Sequence, residues 1–187
     1  MKFILASKSP RRKELFERMD IEFKTIDSKI DESLISKNMS PEHYCTLLAN
    51  LKTSNVSLHY EHFTVVGADT IVVCNNEILN KPKDFNEAKK MLLKLSNTTH
   101  EVMTGVAIRN RNLNIRRKFC EKTFVKFYKL SESQIDFYLE KFRPYDKSGS
   151  YGIQDYASTF VKEIKGSYEN VVGFPVSKFY QIISQFI

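Results

Sequence analysis

Two kinds of hydrophobic pattern alternate along the chain, and together they predict an α/β fold. Short apolar or alternating runs predict strands at residues 3–6, 22–26, 64–73, 102–108, 119–128 and 160–164. Apolar residues at helical spacing predict helices that begin near Ser9-Pro10, Ser40-Pro41, Ser131 and Pro175. A further helix is predicted to contain Ala88, Met91, Leu92 and Leu95. Strands and helices alternate at first and strands cluster later, which favours a mixed twisted sheet flanked by helices.

Turn residues divide these runs at three places. Gly67-Ala68-Asp69 interrupts the apolar run at 64–73 and predicts a break, a bulge or a close backbone approach there. Asn75-Asn76 predicts a tight turn, and residues 109–114 predict the turn of a hairpin. Ser131 and Gln134 have the spacing of a helical capping box.

Length and composition indicate one globular domain over residues 1–187. The chain is 42% hydrophobic and 27% charged, which excludes a wholly disordered chain, a fibrous repeat and a disulfide-stapled miniprotein. Its net charge is +7, and the basic residues are spread along the whole chain. Most of this charge therefore indicates a solvated surface; a focused anion site comes second, and a nucleic-acid groove third.

Cysteine usage and apolar stretches indicate the compartment. Cys45, Cys74 and Cys120 are odd in number and have no C-x-x-C spacing, which favours small buried thiols in a reducing compartment. The apolar run at the N-terminus is too short for a signal peptide, and no stretch approaches the roughly 20 residues that span a bilayer. We expect a cytosolic protein with no membrane partner and no nucleic-acid partner.

Two segments contain residues suited to phosphate chemistry. Ser7, Arg11 and Arg12 lie where a strand leads into a helix, and a helix N-terminus with arginines is a natural phosphate site. The alternative is a capped helix with two exposed arginines. Asp69 lies inside an apolar run, where a carboxylate is costly to bury unless it is paired or binds a metal. The alternative is a strand end that turns into solvent.

Weaker signals come from three other places. The acidic step Asp31-Glu32 suits Mg²⁺ or Mn²⁺, although adjacent acids are common on surface loops. Lys52 and Lys81 are unremarkable as single residues. Gln154 lies in a loop that uses two of only six glycines, and its amide suits the edge of a nucleobase.

In order along nearly the whole chain, these segments resemble the Maf family of nucleoside triphosphate pyrophosphatases. Each block is weak alone, and all of them in register are highly specific. The matching blocks are Leu5–Leu15, Asp31-Glu32, Lys52, Gly67–Thr70, Lys81-Pro82, Asp146–Gln154 and Gly166–Pro175.

The resemblance implies both a fold and a reaction. The fold is an α/β sheet like that of the inosine triphosphatase group, with two lobes around a central cleft. The reaction is hydrolysis of a nucleoside triphosphate to the monophosphate and pyrophosphate with a divalent cation, Mg²⁺ or Mn²⁺. Arg11, Thr70 and Gln154 match the branch that cleaves dTTP and UTP, whereas the branch acting on 7-methyl-GTP differs there. A homodimer is also expected from the resemblance.

The resemblance also suggests a role for each candidate residue. Asp69 is the expected general base, and Glu32 and Asp69 are the expected metal ligands. The expected phosphate-binding residues are Ser7, Arg12, Lys52 and Lys81. The leading hypothesis is a house-cleaning pyrophosphatase of the nucleotide pool. The alternatives are a nucleotide-binding regulator of septum formation without essential turnover, and a basic binder of single-stranded nucleic acid.

Overall fold

Seven strands form one mixed sheet in the computed structural model, which describes residues 1–186. The strands are β1 (Phe3–Leu5), β2 (Phe23–Thr25), β3 (Thr64–Cys74), β4 (Glu77–Leu79), β5 (Thr99–Asn110), β6 (Ile115–Phe127) and β7 (Val161–Lys165). Their order is β2-β1-β3-β5-β6-β7, and β4 pairs with β3. β1 runs parallel to β2 and β3, whereas the β3–β4 and β6–β7 pairs are antiparallel. The predicted α/β class with a mixed sheet is confirmed.

Six α-helices accompany the sheet within the described residues. They are α1 (Pro10–Glu17), α2 (Pro41–Ser57), α3 (Phe85–Leu95), α4 (Glu132–Phe142), α5 (Tyr168–Val172) and α6 (Val176–Ile183). Ser9, Ser40 and Ser131 each cap a helix by accepting a hydrogen bond from a backbone N–H three residues later. The predicted capping box at Ser131 and Gln134 is present. The predicted starts of α1, α2, α4 and α6 are therefore confirmed, whereas the start of α3 at Phe85, capped by Asp84, was not predicted.

The structure corrects the predicted break in the third strand. β3 runs without interruption from Thr64 to Cys74, and Gly67 lies inside it, buried against α2. The glycine marks a close approach between backbones, which the sequence had allowed as one of its alternatives. Asn75 and Asn76 form the predicted turn, both with positive φ, and lead into β4. The three-residue β4 and the five-residue α5 were not predicted.

The chain divides into two compact units. Unit 1 comprises residues 1–70, 104–121 and those from 173 onward. Among its buried contacts, the ring of Phe16 lies 5.2 Å from that of Phe174 and 5.3 Å from that of Phe179. These aromatic contacts fasten α1 to the C-terminal segment of unit 1.

Unit 2 comprises residues 71–103 and 122–172. Its core is one cluster of buried side chains from α3, α4 and the strands, with Phe127, Tyr138 and Phe160 among the largest. His100 is buried in the same unit, where its Nε2 lies 2.8 Å from the hydroxyl of Tyr151. Burial lowers the pKa of His100 to about 3, so this histidine is neutral at neutral pH.

Among residues 1–186, no helix is long and apolar enough to cross a membrane.

Two glycines allow α2 to pack directly against the sheet in unit 1. A Cβ on Gly67 would lie 2.3 Å from Oγ1 of Thr53 and 2.6 Å from the carbonyl oxygen of Ala49. A Cβ on Gly105 would lie 2.4 Å from the backbone of Cys45. Both distances are far below van der Waals contact, so any side chain at these positions would push α2 away from the strands.

We predict that Gly67→Ala lowers the free energy of unfolding by about 1–3 kcal/mol, because the new methyl group overpacks the contact with α2. Urea unfolding followed by circular dichroism measures this change. Gly152→Ala is the matched control, since its Cβ would meet mainly the flexible end of Lys147 and the carboxylate of Asp155. An equal loss in both variants would contradict the proposed close contact.

Candidate functional site

The candidate site of unit 1 forms where β1 ends beside β3. Leu5 pairs in parallel with Val66, and the N–H of Ala6 donates to the carbonyl of Val66 at 2.8 Å. The turn that follows β1 therefore lies at the same edge as the next residues of β3. Ligands of α/β proteins bind at this carboxyl edge of parallel strands.

A lysine on α2 joins two carboxylates at this edge. Nζ of Lys52 lies 2.6 Å from Oδ1 of Asp69 and 2.7 Å from Oε1 of Glu32. Asp69 and Gly67 are two residues apart and share one face of β3, the face against which α2 packs. The glycine thus lets the helix approach, and the helix brings Lys52 to Asp69.

Burial sets the protonation behaviour of Asp69. Its side chain is almost fully enclosed, and the loss of solvation raises the pKa of the carboxyl above its ordinary value. The ammonium of Lys52 and the guanidinium of Arg12 oppose this shift, while the carboxylate of Glu32 adds to it. A carboxylate with a raised pKa is a stronger proton acceptor than an exposed aspartate, provided that it is ionised.

The guanidinium of Arg12 is held by three parts of unit 1. Its Nε donates to the carbonyl of Gly173 at 2.8 Å, and its Nη2 donates to Oγ1 of Thr70 at 3.0 Å. A longer contact of 3.5 Å joins Nη1 to Oγ of Ser7. Burial lowers the pKa of Arg12, while Asp69 and Glu32 raise it. Arginine nevertheless stays protonated in proteins, so this is a fixed positive charge.

The N-terminus of α1 completes this edge. Ser9 caps the helix, and its own N–H donates to Oγ of Ser7 at 3.2 Å. Arg11 is close enough to Arg12 for its charge to lower the pKa of that neighbour. The predicted helix cap is therefore present, while Arg11 and Arg12 are partly buried rather than exposed, and the guanidinium of Arg12 is bonded to other residues of unit 1.

The adjacent acidic residues Asp31 and Glu32 have different roles in the structure. Asp31 caps a single 3₁₀ turn, because its carboxylate accepts from the N–H of Ser33 at 3.0 Å and from its hydroxyl at 2.6 Å. Glu32 instead faces Lys52. Of the two acids, only Glu32 is placed to share a ligand with Asp69.

Sequence reasoning missed two contributors to this site. Oγ1 of Thr70 lies 2.9 Å from Oγ1 of Thr104, which is buried on β5. The carbonyl of Gly173 accepts from Arg12 and, at 3.3 Å, from the hydroxyl of Thr70. Thr104 interrupts an apolar strand just as Asp69 does, so the same signal was available. A backbone carbonyl such as that of Gly173 has no such signal in the sequence.

Lys81 and Gln154 belong to unit 2. Lys81 is exposed in the connection between β4 and α3, and Gln154 is exposed in a turn just before residues 156–160. A hydrogen bond of 3.3 Å from the N–H of Gly149 to the carbonyl of Asn80 joins the two loops. Asp155, next to Gln154, accepts from the hydroxyl of Tyr138 at 3.2 Å, which anchors the glycine-containing loop.

The residues around Lys52 suit a divalent cation that shares its ligands with a phosphate. Mg²⁺ is commonly bound by one or two carboxylates together with substrate phosphates and water. Asp69 and Glu32 supply two carboxylates that already converge on one cationic nitrogen. Within residues 1–186, no group of three or more His, Cys, Asp or Glu side chains is gathered to hold a metal by itself. Substrate phosphates and water would supply the remaining ligands.

Fold and site together define an α/β protein in which fixed cations lie beside two carboxylates at one edge of the sheet, an arrangement suited to an anionic ligand. A HAM1 protein from Coxiella burnetii shares the fold, with a TM-score of 0.53 at 12% identity over 99% of both chains. The model of the family described as Maf-like protein matches residues 2–186. The chain belongs to the Maf family, as its sequence motifs predicted.

Named relatives match over nearly the whole chain. A dTTP/UTP pyrophosphatase from Bacillus cytotoxicus is 45% identical over 185 residues, covering 99% of this chain and 95% of the relative. A second dTTP/UTP pyrophosphatase, from Geobacillus sp. strain WCH70, is 49% identical over 175 residues and covers 94% and 92% of the two chains. The 185-residue match leaves out only two residues of this chain.

Proposed function

We propose that this protein is a pyrophosphatase that hydrolyses dTTP and UTP to the monophosphate and pyrophosphate. The observation that carries the proposal is the buried carboxylate of Asp69, held by Lys52 at the edge where Arg12 supplies a fixed cation. A proton acceptor beside a phosphate-binding edge is the minimum arrangement for attack by water on a phosphoanhydride. Membership in the Maf family and relatives named for this activity support the same reaction.

In the proposed mechanism, Asp69 takes a proton from the attacking water. The water oxygen forms a bond to the α-phosphorus, the α–β bridging bond breaks, and pyrophosphate leaves with the bridging oxygen. Ser7, Arg12 and the N-terminus of α1 bind phosphate oxygens, and Lys52 and Lys81 add positive charge. Glu32 and Asp69, together with the substrate, would hold Mg²⁺ or Mn²⁺, which would supply positive charge to offset the charge that develops on the phosphates.

A pyrophosphate-release assay over a panel of triphosphates tests this function. We expect dTTP and UTP to be cleaved faster than ATP, GTP, CTP and 7-methyl-GTP, and we expect chelation of divalent cations to abolish turnover. Asp69→Asn protein, purified identically, controls for contaminating phosphatases. Binding of dTTP without release of pyrophosphate would contradict the proposal and favour the regulatory alternative instead.

We assign the choice of base to Arg11, Thr70 and Gln154, and we predict that Gln154 variants alter specificity more than chemistry. A uracil or thymine edge offers carbonyl acceptors and one N–H donor, and an amide can match both. Gln154→Ala and Gln154→Glu should therefore lower the ratio of kcat/KM for UTP to kcat/KM for GTP. Each lost hydrogen bond at a buried base edge costs about 1–3 kcal/mol, or roughly 5- to 150-fold in that ratio.

Gln181→Ala is the control for this series, because Gln181 is an exposed amide on α6. It should leave the substrate ratio unchanged. If the Gln154 variants lower kcat/KM for all substrates equally, Gln154 does not read the base.

A cytoplasmic location and a homodimer belong to the same proposal. Both come from the sequence, the first from its cysteine usage and the second from its family resemblance. Light scattering of the purified protein tests the dimer: the measured mass should be twice the 21.8 kDa of one chain.

A further inference from the structure

Two of the three cysteines face each other in unit 1. Cys45 lies on α2 and Cys120 on β6, and their Sγ atoms are 3.7 Å apart. Cys74 belongs to unit 2, where its Sγ lies within 4 Å of the carbonyl of Lys94 and the hydroxyl of Thr98. The proposed mechanism uses none of these thiols, so the facing pair has no role in it.

The two facing thiols differ in their access to solvent. Cys45 is fully buried, and its backbone lies directly against Gly105. Cys120 is half-buried and lines an open cavity of about 310 Å³. The other residues of this cavity are Ser40, Glu42, His43, Thr46, Lys118 and Phe119. A small oxidant can therefore reach Cys120 through the cavity, whereas Cys45 is shielded behind it.

The two thiols also differ in acidity. Hydrogen bonding from Cys45 lowers the pKa of the Cys120 thiol, against the opposing effects of burial and of the carboxylates of Glu42 and Glu121. The ammonium of Lys178 lowers it further, and its Nζ lies 2.9 Å from the carbonyl oxygen of Cys120. The same pairing raises the pKa of Cys45. Because the thiolate is the nucleophile and Cys120 is the thiol that borders the open cavity, Cys120 is the member of the pair placed to attack.

We propose that Cys120 and Cys45 form a peroxide-reactive pair that closes to an intramolecular disulfide. The Cys120 thiolate attacks hydrogen peroxide, the O–O bond breaks, hydroxide leaves and a sulfenic acid remains on Cys120. Cys45 then forms the S–S bond, and the oxygen on Cys120 leaves as water. In total two thiols lose two electrons and two protons, and one peroxide becomes two waters.

The geometry needs only a small movement for closure. The two sulfurs must approach from 3.7 Å to the roughly 2.0 Å of a disulfide bond. The backbone at Cys45 is fixed by its contact with Gly105, so side-chain rotation and β6 supply the movement. The proposal concerns only unit 1 and does not depend on the proposed enzymatic function.

Thiol counting and peptide mapping test the pair in the full-length protein. After reduction, removal of the reductant and treatment with excess hydrogen peroxide, titration in denaturant should find one free thiol instead of the three in the reduced chain. A non-reduced digest should contain the Cys45 and Cys120 peptides joined, lighter by two hydrogens than their sum. Dithiothreitol should restore all three thiols.

Single variants identify the role of each sulfur. Cys74→Ala is the control and should still lose two thiols on oxidation. Cys120→Ser should keep both remaining thiols, because the buried Cys45 is not reached by peroxide. Cys45→Ser should form no intramolecular disulfide and should accumulate a sulfenic acid on Cys120, which dimedone traps.

Three results would overturn the proposal. They are wild-type protein that keeps all its thiols under peroxide, a cross-link that involves Cys74, and irreversible oxidation of Cys120 while Cys45 stays free. The wild-type peptide map decides among these without the variants, so the test holds even if a substitution impairs folding.

Discussion

Asp69→Asn is expected to lower kcat about 100-fold or more, the usual contribution of a general base. Asparagine keeps the size of the side chain and can still accept a hydrogen bond from Lys52, but it cannot take a proton from water at neutral pH. The measurement is steady-state release of pyrophosphate from dTTP. KM should change much less than kcat, since the loss falls on the chemical step.

The fold of this variant needs its own control. Circular dichroism and urea unfolding should show a folded protein, and a dTTP-binding measurement should show that the phosphate-binding edge remains. Turnover like that of the wild type would remove Asp69 from the role of base. If Asp69→Asn loses turnover because it unfolds, Glu32→Gln is the second variant to measure. It alters the same cluster of charges at a half-exposed position.

Lys52→Met is expected to destabilise the protein by about 3 kcal/mol, because removing one partner of a buried ion pair leaves Asp69 unpaired. For a chain of this size, such a loss lowers Tm by roughly 6–12 °C. Lys13→Met is the matched control, since Lys13 forms an exposed ion pair with Glu17 on α1. Exposed pairs contribute at most about 1 kcal/mol, so this variant should melt near the wild type.

A double variant separates charge pairing from packing. In Lys52→Met/Asp69→Asn no carboxylate is left unpaired at position 69, so its Tm should exceed that of Lys52→Met alone. Additive losses in the double variant would mean that the contact of 2.6 Å between Lys52 and Asp69 contributes no coupling. Tm is measured by calorimetry at one pH and one salt concentration for all four proteins.

Most of the fold was predictable from local patterns, including the three-residue strands β1 and β2, which lie within the predicted runs at 3–6 and 22–26. Ser9, Ser40 and Ser131 predicted the starts of three helices, because an N-cap hydrogen bond forms within the local sequence and does not depend on tertiary contacts. Gly67 was harder, because glycine weakens a strand in isolation, and only the close approach of α2 explains why it lies inside one. The short β4 and α5 depend on their neighbours for stability and were not predicted.

The site was predictable as a set of residues but not as a set of contacts. Asp69 stood out because a carboxylate interrupted an apolar run. The mutual positions of Lys52 and Glu32 could be assigned only from the structure, in which Lys52 contacts the carboxylates of both Asp69 and Glu32. The carbonyl of Gly173 could not be predicted, since every residue has one. The facing sulfurs of Cys45 and Cys120 were equally hidden, because 75 residues separate them in the chain.

The bond from Arg12 to Gly173 has a consequence for synthesis on the ribosome. The two residues are 161 positions apart, and at about 5–20 residues per second roughly 10–30 s pass between their additions to the chain. Unit 2 is therefore fully synthesised before unit 1, although unit 1 begins first. Until Gly173 emerges, the nascent chain lacks the acceptor that orients its arginine, so we expect folding of the unit that begins first to finish last.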